Sequence, residues 1–104
     1  MNNKLLSLLG MCRKAGKLTI GYDKTLDLFK KHKVFAILVA ADTAQRTEKE
    51  LRFHTNSALP IVRLVETKEQ LSKAIGTAAG VVGSTGEGFA NQAILLNSQG
   101  GTTL

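Results

Sequence analysis

Residues 34–41 read VFAILVAA, eight consecutive positions with no charged or hydrogen-bonding side chain. A strand with one wet face alternates apolar and polar residues, so a run that is apolar at both parities predicts a strand covered on both sides. Helices must then lie above and below it, and the rest of the chain has to supply them.

Upstream, GYDKTLDLFKKHK (21–33) reads as a helix over about 21–32, with Leu26 and Phe29 turned inward and Lys24, Lys30, Lys31 and Lys33 left to solvent. Leu5, Leu8, Leu9 and Cys12 recur at the spacing that lines one face of an earlier helix. Asn2 or Asn3 can cap its start, Arg13 and Lys14 suit the negative end of its dipole, and Gly16 can stop it. LTIG (18–21) then predicts a short edge strand. Downstream, T-x-x-E at 47–50 and T-x-x-Q at 67–70 are capping-box patterns that open helices. PIVRLV (60–65) between them is strand-like. Leu71, Ala74 and Ile75 form the inner face of the fourth helix, which Gly76 can end. Val81 and Val82 start a last strand, and Phe89, Ala93 and Leu96 mark a closing helix. This alternation predicts an α/β protein, a three-layer α/β/α sandwich on a small mixed, largely parallel sheet.

The 104 residues, 43% of them hydrophobic, suffice for one modest core. A single domain over 1–96 is expected, and NSQGGTTL (97–104), without apolar periodicity, reads as a flexible tail. The single cysteine, Cys12, excludes an internal disulfide framework, so a cytoplasmic location is expected. MNNKLLSLLGMCRKAGK (1–17) is apolar only briefly and continues into basic residues, which fits an amphipathic helix better than a signal peptide. No run approaches the roughly 20 apolar residues of a membrane span.

The net charge of +6 is unevenly placed. Residues 1–52 hold eleven Lys and Arg against five Asp and Glu, whereas residues 53–104 hold three of each. Clustered positive charge concentrates polyanions, so nucleic acid or an anionic membrane face is a candidate partner, and a solvated surface that aids solubility is the alternative.

GYDKTLDLFKKHKVFAILVAAD (21–42), LPIVRLVETKEQLSKAIG (59–76) and VVGSTGEGFA (81–90) together resemble the ribosomal protein family L-seven-Ae and its L-thirty-e relatives, especially the small bacterial YlxQ-like branch. The resemblance spans about residues 4–94. It implies an α/β/α sandwich that binds RNA, in many members at kink-turns, where tandem sheared G·A pairs bend a duplex. The family's second helix starts with G-x-N-E-x-x-K, and its apolar strand ends in A-E-D. Here the glycine is Gly21, the Asn position is Asp23, the Glu position Lys24 and the Lys position Asp27, while the strand ends in Ala40, Ala41 and Asp42. A basic position one turn later matches Lys31. Ionised Asp only accepts hydrogen bonds where Asn also donates, and Lys donates where Glu accepts, so these positions present different partners to RNA. The loop before the last strand, Thr77, Ala78, Ala79 and Gly80, is the family's second RNA-facing element; its small residues permit close backbone approach.

From the residues themselves, Gly21 at a helix start leaves amides and the positive dipole end outward, a site suited to phosphate. With Lys14, Lys17, Lys24 and Lys31 it would form a continuous anion-binding surface. Tyr22 can stack on a base or cover the first helix. GSTGEG (83–88) lacks the G-K-[ST] of a Walker motif and reads as a tight turn into the last helix. Cys12 belongs to the core, and Cys12, His32 and His54 lack metal-ligand spacing. Asp42, at the end of a central strand, suits the start of a helix more than chemistry. The expected function is therefore non-enzymatic binding of structured RNA, in or near the ribosome, with no cofactor, metal or membrane partner. Two alternatives stay open: a protein-interaction module on the same scaffold, and a small nucleotide-binding enzyme using GSTGEG and Asp42.

Overall fold

The structure is a computed structural model that describes residues 3–102. Its elements run α1 (Asn3–Lys14), β1 (Leu18–Ile20), α2 (Tyr22–Lys30), β2 (Ala36–Val39), α3 (Gln45–Thr55), β3 (Ile61–Arg63), α4 (Lys68–Ile75), β4 (Val81–Ser84) and α5 (Glu87–Thr102). The four strands form one sheet in the order β1-β4-β2-β3. β2 is an inner strand, and Ala36, Ile37, Leu38, Val39 and Ala40 are all fully buried. Its alternating side chains enter two cores. Leu38 and Ala40 meet Leu5, Leu9, Leu71 and Ala93 beneath α1, α4 and α5, while Ile37 and Val39 meet Leu26 and Leu51 beneath α2 and α3. The three layers predicted from VFAILVAA follow directly.

The sheet is mixed, but its balance differs from the largely parallel expectation. β2 and β3 pair in parallel, whereas β4 is antiparallel to both β1 and β2. β1, β2 and β3 all run the same way, as alternation with helices implies. The reversed strand β4 inserts between β1 and β2 and supplies two of the three pairings. Nothing in a strand's own sequence marks its direction, because side-chain period is the same either way.

The start and stop signals hold at some helix ends and not at others. The capping box at Thr67 is real: its hydroxyl accepts from the Gln70 amide, and the Gln70 side chain accepts from the Thr67 amide. The one expected at 47–50 does not form. Helix α3 begins three residues earlier, after Ala44 as N-cap in place of Thr47, and Glu50 pairs instead with Arg46 at 3.1 Å. The turn before that start is held from β3. The Arg63 guanidinium donates to the carbonyls of Ala41 (3.0 Å) and Thr43 (2.8 Å), which tightens the turn after β2. Arg13 also departs from its expected role, since it crosses to donate to the Ile75 carbonyl at the end of α4. The side chains of Asn2 and Asn3, proposed as caps, lie outside the described residues. α5 continues past Leu96 to Thr102, so residues 97–102 of the expected tail are helical, and Thr103 and Leu104 lie outside the described residues. No helix among the described residues is long and apolar enough to cross a membrane.

Arg63 also binds Glu48, whose two oxygens receive Arg63 Nε at 2.9 Å and Arg52 Nη2 at 3.0 Å. Burial alone would raise the Glu48 carboxyl, but the hydrogen bonds and charges of Arg52 and Arg63 outweigh it and hold it below its usual 4.5. A carboxylate depressed by folding stabilises fully above its unfolded value and loses that contribution as pH falls through the folded one. Glu48→Gln is therefore expected to cost about 1.5–3 kcal/mol at neutral pH, the range for hydrogen bonds to charged groups. It should also remove part of the stability loss seen below pH 4.5 in urea titrations. An acid profile identical to that of the unsubstituted chain would show that the clamp contributes nothing.

Gly83 of β4 has a packing role. A Cβ there would stand 2.8 Å from Thr25 Cγ2, 2.9 Å from Thr19 Cγ2 and 3.2 Å from Val34 Cγ1, all in the core. Its absence lets α2 settle close on the sheet. Alanine normally gains about 0.5–1 kcal/mol over glycine inside a strand, while overpacking costs about 1–3 kcal/mol. Gly83→Ala should thus be net destabilising, read as a lower urea midpoint; a raised midpoint would show that α2 is free to give way.

Candidate functional site

The antiparallel β1–β4 pairing brings two distant segments together. Gly21, just past β1, donates its N–H to Val81 O at 2.8 Å. The start of α2 thereby lies beside the loop at 77–80 that leads into β4. Gly21 has φ 101° and ψ 155°, a backbone region reserved for glycine, although a Cβ would meet no neighbour within 4 Å. Conformation, not space, requires glycine here. Its carbonyl accepts the first bond of the helix, from Thr25 N, and no side chain caps the amides of the first turn.

The turn after β2 closes the same rim. Ala40 N and Thr43 Oγ1 both donate to Gly80 O, at 2.9 and 3.1 Å. Asp42 does cap a helix, but not the one that follows it: its Oδ1 accepts from the amide of Lys68, the first residue of α4, at 2.8 Å. Lys68 is exposed, and its stem would be 3.0 Å from a Cβ on Gly80, so it lies across the loop. Sequence reading did not single out this cation, although its place directly after the Thr67 cap was the available signal. Ala79 is anchored by its N–H on Ser72 Oγ at 3.1 Å, leaving Thr77 half-buried and Ala78 exposed.

Of the ten residues named from the sequence, Gly21, Tyr22, Asp23, Lys24, Thr77, Ala78 and Ala79 belong to this rim or to the first turn of α2. Asp23 and Lys24 are exposed. Tyr22 packs into the α2–α3 core and not over α1, with its hydroxyl 3.5 Å from Glu50 Oε2. Burial, and then the Glu50 charge, push that hydroxyl above its usual 10.0, which keeps it a hydrogen-bond donor. The other three lie apart. Lys17 precedes β1 at its far end and shares a groove with Lys24. Lys31 caps the opposite end of α2, about 13 Å along the helix from its start, and pairs with Asp27 at 3.5 Å. Lys14 lines a different groove, between α1 and α4, with Arg13 and Lys73. The four lysines do not form the continuous surface expected of them.

The remaining motifs are structural. Ser84 Oγ donates to Gly86 O at 2.8 Å within GSTGEG, the tight turn into α5. Cys12 is buried and donates to Lys17 O at 3.1 Å. Burial pushes its thiol up, and the nearby Ser84 hydroxyl offsets this only in part, so the group stays protonated. Among the described residues no cluster of His, Cys, Asp and Glu could hold a metal ion. Uncapped amides, the exposed ammonium groups of Lys24 and Lys68, and a small-residue loop are chemistry for holding an anionic chain.

No protein-family model matches the sequence, and no curated protein matches it. Solved structures do match its fold. A Bacillus halodurans protein of unknown function superposes with a TM-score of 0.84 at 27% identity, covering 91% of this chain and 97% of its own. The Giardia lamblia 15.5kD RNA binding protein superposes with a TM-score of 0.70 at 18% identity, covering 95% of this chain and 89% of its own.

Proposed function

We propose that this chain is a non-enzymatic, single-domain RNA-binding protein of the L-seven-Ae type, cytoplasmic and ribosome-associated, that holds structured RNA at the rim formed by the start of α2, the turn after β2 and the loop at 77–80. The observation that carries the reading is the Gly21–Val81 hydrogen bond, which sets uncapped α2 amides beside a loop of small residues. Charge supports it, because the excess of six positive charges falls in residues 1–52. The likeness in fold to a Giardia lamblia RNA binding protein supports it as well. Asp23, Lys24 and Asp27 offer RNA one acceptor, one donor and one repulsive charge where the family pattern has Asn, Glu and Lys. Kink-turn RNA is the first ligand to test, and the preference for it over a straight duplex measures what those replacements cost.

Filter binding across salt concentrations, with a kink-turn hairpin and a hairpin of the same length in which Watson–Crick pairs replace the G·A pairs, is the decisive measurement. With about four phosphate contacts the log–log slope should be roughly −3 to −4. No binding of either hairpin at low salt removes the proposal. Lys24→Ala combined with Lys68→Ala is expected to flatten the slope by about 2, since each phosphate contact contributes about 0.9. Both residues are exposed, so thermal unfolding should be unchanged; an unaltered slope would move the site elsewhere.

A further inference from the structure

We propose that the groove along the open edge of β1 takes a single-stranded stretch of RNA flanking the structured element held at the α2 rim. The inference rests on the RNA-binding reading and assigns it a second surface that adjoins the first. The groove encloses about 550 Å³, and its walls carry Lys17, Lys24, His32, Lys33, Phe35 and Thr85. Among the described residues no carboxylate lines it. Lys31 is paired with Asp27 and Lys73 with Glu69, so neither is free to join the cations of the groove. Among the described residues, Lys17, Lys24 and Lys33 enter no ion pair. Three uncompensated cations in one concavity select for a polyanion.

Phe35 makes the polyanion a polynucleotide. It is 41% exposed between the buried Val34 and Ala36, and its N–H is held by Ser84 O at 2.8 Å. An exposed ring whose backbone is held just before β2, beside cations, offers a face on which unpaired bases stack. His32 stands on the same wall with φ 59°, a left-handed conformation at the helix end that glycine normally fills. The groove floor adds hydrogen-bonding groups. Lys17 O and Gly21 N bond to β4, and the register places Thr19 opposite Gly83, so the alternation of an antiparallel pair turns the peptide groups of Leu18 and Ile20 to the free edge. Lys24 belongs both to this groove and to the first turn of α2. A strand leaving the rim therefore runs straight into the groove, a continuity an acidic peptide would not need.

Fluorescence-anisotropy titrations of the full chain test this with a blunt kink-turn hairpin, the same hairpin extended at either end by an oligouridine tail of about eight nucleotides, and the free oligouridine. One tail should tighten binding about tenfold by stacking and steepen the salt slope by about 1.4, from two further phosphates, at Lys17 and Lys33, at about 0.7 each. Lys33→Ala with Phe35→Ala should leave affinity for the blunt hairpin unchanged and abolish the gain. Lys33→Glu, which keeps the ring, should lose most of it, with thermal unfolding confirming the fold. A tail that adds nothing at either end, or a gain that survives in both variants, overturns the proposal. Failure of the blunt hairpin alone tells against the rim reading, while oligouridine binding lost in the variants still supports the groove. Displacement of the oligouridine by a glutamate decapeptide at lower concentration than by competing oligouridine would assign the groove to a protein partner and overturn it.

Discussion

The last strand of the chain holds the sheet together. β4 pairs with β1 on one side and β2 on the other, so without it the first strand has no partner at all. Its hydrogen bonds extend beyond the strand ends: Val81 O receives Gly21 N, Ser84 O receives Phe35 N, and Thr85 N reaches Lys17 O. Each of these fixes a residue of the rim or of the basic groove. Because the bonded segments lie some 50 residues or more apart in sequence, the chain must close long loops before any of them forms, which places this architecture among the slower-folding mixed topologies.

Around that ladder the molecule separates packing from polar fixation. Both cores are apolar, and Gly83 lets α2 approach the sheet closely. The rim is instead fixed by directional contacts: Arg63 on the carbonyls after β2, Thr43 on Gly80, Asp42 on the first amide of α4, Ser72 on Ala79. Such contacts hold irregular backbone that has no ladder or helix to satisfy its polar groups. They also leave the first-turn amides of α2 uncapped, so the rim is rigid in its frame and unsatisfied at its surface.

Much of this was legible in the residues because it depends on period alone. The run at 34–41 is apolar at both parities, and β2 is buried on both faces. The Thr67 capping box works because both partners lie within one turn of each other. The box at 47–50 does not form: within α3 Arg46 pairs with Glu50, and the turn before the helix is held by a guanidinium from β3, a contact no local pattern contains. Arg13 and Asp42 show the same limit, since each caps a helix end that is remote in sequence.

The basic surface divides in the same way. Composition located the positive excess in the first half of the chain, and helical phase put Lys24, Lys30, Lys31 and Lys33 outside; both are properties of neighbouring residues, so the sequence by itself determined them. Which lysines share a surface was decided only by tertiary structure. Lys14 fell to the α1–α4 groove, Lys31 to Asp27, and Lys17 with Lys24 to the edge of β1, where Lys33 and Phe35 join them. The reason is geometric: side-chain period fixes which face a residue takes on its own element, but only the direction and order of the strands fix which faces meet.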